Sequence, residues 1–242
     1  MPPYKNKQKL HLVLLPGLDG TGNLFNPLLE QFAEQSFITV IPYPLDYFIP
    51  FEKLTDYIIP LLPKNKPLVI LAESYSGPVA LSLTSLQDIN IRAIILVATF
   101  AKYPTSFLKN ISNWLPLSLI IRLPIPNFII RYFCFGNATN RSLSQMLRNA
   151  VKANKPNVLA KRARDGASND VTDLLSNIKI PCLYLAATDD KMVPKKAIDV
   201  LKMNISDLEI VMIEGSHFIL QIQPEACYKT INNFLTRVSD AI

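Results

Sequence analysis

The sequence predicts an α/β fold, a mostly parallel sheet with helices on both faces, interrupted once by a helical insertion. Three observations predict it. Short apolar runs of strand character recur along the chain, continuous in the way that burial on both faces of a sheet requires. Segments of helical pattern alternate with them, which is the signature of β-α-β units and a parallel sheet. One stretch, residues 100–170, breaks that rhythm and holds no convincing strand.

Taken in order, LHLVLL at 10–15 is the first strand and FITVI at 37–41 the second, with a helix expected at 24–35 between them. A helix at 52–62 leads to the strand PLVILA at 67–72, and another at 77–86 separates it from IRAIILVA at 91–98. After the insertion come the strand CLYLAA at 182–187, a helix at 195–203, the strand LEIVMI at 208–213 and a terminal helix at 224–236. All six runs read as buried strands. The expected division is a core of residues 1–99 and 171–242 around an inserted unit of 100–170. A chain of 242 residues has room for one large domain carrying such an insertion and not for two equal ones.

With 49% hydrophobic and 18% charged residues, the composition excludes a disordered or fibrous chain. Cys134, Cys182 and Cys227 are odd in number and lack metal-ligand spacing, so they are expected as reduced thiols filling core in a cytoplasmic protein. No metal and no cofactor is expected. The basic start MPPYKNKQK runs into an apolar stretch that is short, has no small-residue cleavage site, and reads as strand and not as a signal peptide. The most apolar later stretch, WLPLSLIIRLPIPNFII at 114–130, is broken by Arg122, Pro116, Pro124 and Pro126. It therefore predicts no membrane span, and membrane contact is not expected.

The segment LAESYSGPVAL holds two serines between a strand and a helix. A nucleophile held on a sharp turn from strand to helix needs small neighbours so that the turn can close. Around Ser74 the positions two before and two after are Ala72 and Ser76, with Gly77 next; around Ser76 the latter position is the bulky Pro78. Ser74 is the better candidate. Pro78 falls in the first turn of the following helix, where its missing N–H costs nothing.

A serine needs a base, and the base an orienting carboxylate. There are two histidines. His11 lies within the first strand and is expected in the sheet. His217, in IEGSHFILQIQPE, follows the last strand, and the carboxyl ends of strands are where open parallel sheets place their chemistry. Two adjacent acids, Asp189 and Asp190 in LAATDDKMVP, follow the preceding strand and compete for the third place.

On the segments LLPGLDGTG, LAESYSGP, DDKMVP and GSHF the chain resembles the α/β-hydrolases, over residues 12–235 apart from the insertion. The resemblance implies an α/β-hydrolase sheet with the insertion as a helical cap over the active site. It implies Ser74 as nucleophile, His217 as base and Asp190 as the acid, since the stretch D-x-x-V-P beginning at Asp190 matches the family's loop. The oxyanion hole would be the N–H groups of Leu18 and Tyr75. Two departures are visible: Pro16 stands where relatives usually have the histidine of His-Gly, while Gly17 is kept; and Glu73 precedes the nucleophile where relatives often have histidine. Glu73 is expected to pack or hydrogen-bond locally.

Charge is distributed unevenly. Residues 89–164 contain no Asp or Glu and twelve basic residues, which leaves 13 basic against 19 acidic residues elsewhere. On a helix at 140–155, ended by Pro156, steps of 100° put Arg141, Arg148, Lys152 and Lys155 on one stripe opposite Leu143, Met146, Leu147 and Ala150. Such a stripe is a solvated face or a docking surface for an acidic partner: acyl carrier protein, anionic lipid, or, last, nucleic acid, which the missing aromatics and acidic body disfavour. The insertion also carries Phe107, Trp114, Leu117, Leu119, Ile120, Phe128, Ile129, Phe133 and Phe135, which line an acyl pocket or form the cap's own core.

The resulting expectation is a serine esterase acting on a small acyl ester through an acyl-enzyme. The basic cap makes it similar in design to the pimeloyl-acyl-carrier-protein methyl ester esterases, whose basic caps dock an acidic carrier. A thioesterase or acyltransferase would use the same residues, and a non-catalytic binding protein on this fold is the alternative from another class.

Overall fold

The computed structural model describes residues 9–86, 88–103 and 117–241. Among them six strands form one sheet: β1 (His11–Leu15), β2 (Ile38–Val40), β3 (Leu68–Glu73), β4 (Ile91–Val97), β5 (Cys182–Ala187) and β6 (Leu208–Ile213). Every neighbouring pair is parallel, in the order β2-β1-β3-β4-β5-β6. The chain runs from β1 outward to β2 and then returns to pair β3 on the other side of β1. The carboxyl ends of β1 and β3 therefore flank the point where strand order reverses, the place where open α/β sheets leave a crevice for ligands.

The helices follow in chain order as α1 (Asn26–Leu29), α2 (Leu54–Ile58) and α3 (Gly77–Leu83), then within the insertion α4 (Leu117–Ile120), α5 (Asn127–Ile129), α6 (Arg141–Lys152) and α7 (Pro156–Gly166), then α8 (Lys196–Asn204), α9 (Ile219–Ile222) and α10 (Pro224–Asp240). Residues β1, β3 and β5 contribute are buried throughout, because alternate side chains feed two cores. Val13, Leu15, Ile70, Ile94, Leu96 and Tyr184 meet Leu54 and Ile58 of α2, Val79 of α3 and Leu201 of α8 on one face. Leu12, Leu14, Val69, Ile95 and Leu185 meet Leu28 of α1 and the α10 stripe Cys227, Ile231, Phe234 and Val238 on the other, a stripe at helical spacing. All three cysteines are buried and free.

Several elements differ from expectation, the helix anticipated at 52–62 being α-helical only over α2, between two 3₁₀ turns. The helix anticipated at 24–35 is a 3₁₀ turn, Asn23–Phe25, followed by the single turn of α1; beyond it Gln31 and Phe32 bond back to Leu28 and Leu29, three residues earlier. Strand β6 is not buried: it ends the sheet, pairs only with β5, and leaves Met212 half exposed.

The insertion is pinned at its neck by an antiparallel bridge between Lys102 and Asp170, whose side chains form an ion pair at 2.6 Å. Its helix α6 starts on an Asn140 side-chain cap to the Leu143 N–H and ends at Lys152, three residues earlier than the sequence suggested. Lys155 instead precedes α7, and its N–H donates to the Leu45 carbonyl. Pro156 opens α7 and does not close α6. The four-cation stripe is corrected accordingly: Lys155 is off the helix, and the Arg148 guanidinium is turned inward onto the Ile125 carbonyl and Asn127 Oδ1, at 2.9 and 2.6 Å. Arg141, Lys152 and Lys155 are exposed.

The apolar residues of the insertion divide three ways. Ile130, Phe135 and Leu147 build a separate small core on Leu24; Leu117 and Phe133 line a cavity over Ser74; Leu119, Ile120 and Phe128 are exposed. Phe107, Trp114, Lys109 and Pro116 lie outside the described residues. No helix among the described residues is long and apolar enough to cross a membrane.

Candidate active site

Strand β3 delivers the chain to Ser74, which sits at φ 50°, a left-handed conformation that strains any residue with a side chain. The turn is held from below: the Thr99 hydroxyl, at the end of β4, donates to the Ser74 carbonyl. A Cβ added to Gly77 would fall 2.0 Å from Thr99 Oγ1, so only glycine lets α3 begin this close to that support. Pro78 occupies the first turn of α3, as its position requires. The turn lifts the Ser74 side chain into the crevice. Ser76 points the other way: it is fully buried, donates to the Pro16 carbonyl and lies 2.5 Å from the Tyr43 hydroxyl.

His217, on the loop after β6, lies with Nε2 3.0 Å from Ser74 Oγ and Nδ1 2.8 Å from Asp190 Oδ2. A carboxylate can only accept, so Nδ1 carries the hydrogen and Nε2 is left as acceptor for the serine hydroxyl. Asp190 is itself fixed, because its other oxygen accepts the N–H groups of Met192 and Val193 at 2.7 and 2.8 Å. Those bonds are the physical content of the D-x-x-V-P spacing. Asp189 faces solvent and pairs with Lys191 at 2.6 Å. Of the two acids, only Asp190 is hydrogen-bonded to the imidazole.

Leu18 follows β1 on the neighbouring strand end. Its N–H has no hydrogen-bond partner among the described residues, and the N–H of Tyr75 lies in the first turn after the strand, where no intrahelical acceptor exists. A Cβ placed on Gly17 would be 3.8 Å from the Ser74 Cβ, which shows how closely this loop approaches the serine. Leu18, Ser74 and Tyr75 share a cavity of about 390 Å³ with Phe100, Tyr103, Leu117, Phe133, Met192 and Val193. Its lining is mostly apolar, with Lys191 as its one charged residue among those described, and suits a hydrocarbon chain.

Glu73 is buried beneath the serine and accepts the Gln221 amide at 3.0 Å. Burial pushes its carboxyl up to about 7, against the smaller lowering effect of the Gln221 bond. His11, as expected, is in the sheet, hydrogen-bonded to Thr39 at 2.8 Å. Sequence reasoning missed Arg162, Asn154 and Asp165, three residues of the insertion that reach the Leu18 loop and Tyr75. A signal was present for Arg162 alone: it is the one cation of α7 whose helical position coincides with the buried face made by Val158 and Leu159.

No family model matches the sequence, and comparison with curated proteins finds no relative. Solved structures do match along nearly the whole chain. MenH from S. aureus has a TM-score of 0.78 at 18% identity, covering 96% of this chain and 94% of that one. An esterase from Exiguobacterium antarcticum has a TM-score of 0.76 at 15% identity, covering 94% and 92%. A thermophilic esterase from Thermogutta terrifontis has a TM-score of 0.74 at 22% identity, covering 95% and 90%. The six parallel strands, the left-handed turn at Ser74 and these matches identify the chain's architecture as the α/β-hydrolase fold.

Proposed function

We propose that the protein is a serine hydrolase that cleaves a carboxylic ester through an acyl-enzyme intermediate. The observation that carries this reading is the hydrogen-bonded chain from Ser74 through His217 to Asp190, opening on an apolar cavity. Ser74 Oγ attacks the ester carbonyl while His217 Nε2 takes its proton; Asp190 holds the imidazole in the required tautomer and stabilises the imidazolium. The N–H groups of Leu18 and Tyr75 receive the oxyanion, each worth a few kcal/mol, about 3. The proton then passes to the leaving alcohol, and water repeats the sequence on the acyl-enzyme. Esterases among the structural neighbours agree with this reading.

The narrower substrate is an ester borne by acyl carrier protein, such as a pimeloyl methyl ester. Its support is electrostatic: Arg141, Lys152 and Lys155 are exposed and have no ion-pair partner among the described residues, in a segment without a single acid. Fluorophosphonate labelling of the folded protein, with the adduct mapped by mass spectrometry, tests the chemistry, and hydrolysis of p-nitrophenyl esters of increasing chain length tests the cavity. Labelling at Ser74 with hydrolysis is expected. No label at Ser74 would make the protein a binding module, and a label without ester turnover would move the reading to a thioester or another acyl acceptor.

A further inference from the structure

We infer that helix α7 of the cap is the positioning device of the oxyanion hole, with Arg162 and Asp165 as its two contacts; this rests on the hydrolase reading above. Every carbonyl from Pro16 to Gly20, in the loop after β1, is held. Pro16 accepts from the Ser76 hydroxyl, Gly17 from the Gly20 N–H at 3.0 Å, and Gly20 from the Tyr43 N–H at 2.8 Å. The two between them are held from the cap. Arg162 Nη1 donates to the Leu18 carbonyl at 2.8 Å, and Asn154 Nδ2 donates to the Asp19 carbonyl at 2.8 Å. The peptide that carries the Leu18 N–H is held through its own oxygen, the Gly17 carbonyl, by the Gly20 N–H, and Arg162 and Asn154 hold the two peptides that follow, so the turn bearing this N–H is clamped from the cap on its far side.

The other donor is tied to the same helix. Asp165 Oδ2 accepts the Tyr75 hydroxyl at 3.0 Å, and a Cβ on Gly166 would strike the Tyr75 ring at 2.8 Å. Arg162 and Asp165 are three residues apart and so lie on one face of α7, one gripping each oxyanion residue. The energetics argue against a packing role for Arg162. The side chain is 3% exposed and has no carboxylate at salt-bridge distance among the described residues. Its charge is met at hydrogen-bond distance by the carbonyls of Leu18 and Pro44 and the Asn154 amide oxygen, by the face of Tyr43, and at longer range by the buried Asp19 carboxyl. A buried cation without an ion pair is a poor way to fill core, since an apolar side chain of similar size would be more stabilising. Gly20, at φ +70°, makes room for it: a Cβ there would fall 2.5 Å from Arg162 Nη1.

The cap is thus more than a lid, because the hole is assembled only while α7 is seated. Arg162→Met and Tyr75→Phe test this, the second keeping the backbone donor and removing only its tie to Asp165. Both are expected to lower kcat on a p-nitrophenyl ester about 10- to 100-fold, somewhat less than loss of a donor outright, with KM within about threefold. Affinity for a trifluoromethyl ketone, whose adduct carries the oxyanion, should fall in parallel, while affinity for the product acid should not. Arg162→Lys, which reaches one carbonyl and not two, should recover part of the loss. Unchanged kcat, or equal losses in ketone and acid binding, would overturn the proposal. Should Arg162→Met fail to fold, Tyr75→Phe decides alone. A parent enzyme that leaves Ser74 unlabelled would instead overturn the hydrolase reading.

Discussion

At Ser74 the backbone adopts a conformation that costs roughly 1–2 kcal/mol for a residue with a side chain, and the neighbouring hydroxyl of Ser76 helps to hold it by bonding Pro16 across the crevice floor. The two serines should separate cleanly on substitution. Ser74→Ala is expected to abolish ester hydrolysis with an unchanged melting temperature, whereas Ser76→Ala should keep most activity and lose about 1–3 kcal/mol of stability through unpaired buried groups. Similar losses of kcat in both would sink the assignment of the nucleophile. Asp190→Asn should cost on the order of 10³–10⁴ in kcat by presenting the wrong tautomer, and Asp189→Asn only a few-fold; the opposite outcome would move the acid by one residue. Glu73 supplies a test of electrostatics. Its carboxyl is held at about 7 in the folded protein against an ordinary 4.5, chiefly by burial, with Asp19 raising it further and Gln221 and His217 opposing. Between those values the folded state binds the extra proton, so stability falls as pH rises from about 4.5 through about 7, by on the order of 3 kcal/mol. Glu73→Gln should therefore melt higher than the parent at pH 8 and converge with it near pH 4.5. A gap independent of pH would assign the ionisation elsewhere. The hydrogen-bonded group of Ser74, His217 and Asp190 could be picked out because Ser, His and Asp carry their chemistry in their identity and stand at strand ends. The residues that position the oxyanion loop were not, because their function lies in carbonyls 118 to 144 positions away, which no local pattern encodes.

At the scale of elements, the strands were read to within one residue because a two-sided apolar environment writes a continuous run into the sequence. Strand β6 looked like the others and is half exposed, since a run of apolar residues does not say which strand ends the sheet. Helix α6 was recognised from its amphipathic stripe, but its end was misplaced: the periodicity persists to Lys155 while the chain leaves the helix at Lys152. What overrides the pattern is tertiary. Asn154 spends its amide on the Ala150 and Asp19 carbonyls and Lys155 its N–H on Leu45, so the segment linking α6 and α7 is bound to the core loops instead of continuing the helix. That segment seats α7, and the seat is what brings Arg162 and Asp165 to the crevice. The run of helices between β4 and β5 was legible as an absence of strands among the described residues, whereas its contacts with Leu18 and Tyr75 depend on this break and were not.

For the whole molecule the dominant feature is charge separation: residues 89–164 carry twelve cations and no acids, against 13 basic and 19 acidic residues elsewhere. Such an arrangement steers an acidic partner to one side and repels it from the other. The cations available for this are fewer than the sequence count, because Arg162 is buried on carbonyls inside the fold and the half-buried Arg148 is bonded to the Ile125 carbonyl and Asn127. Arg141, Lys152 and Lys155 remain exposed, and none contributes to the cavity over Ser74. Replacing Arg141 and Lys152 with Glu is therefore expected to lower kcat/KM for a carrier-linked ester about tenfold or more at low salt, where screening is weak, and to leave a short p-nitrophenyl ester within twofold of the parent. The parent's carrier-linked turnover should itself fall steeply as salt rises from about 0.05 to 0.5 M, and the substituted protein's should not, since the Debye length shortens from beyond 10 Å to a few Å over that range. A folding defect would depress both substrates together. If the charge-reversed protein turns over the carrier-linked ester as fast as the parent at low salt, the exposed cations are a solvated surface, and the substrate is a free ester that reaches Ser74 through the apolar cavity alone.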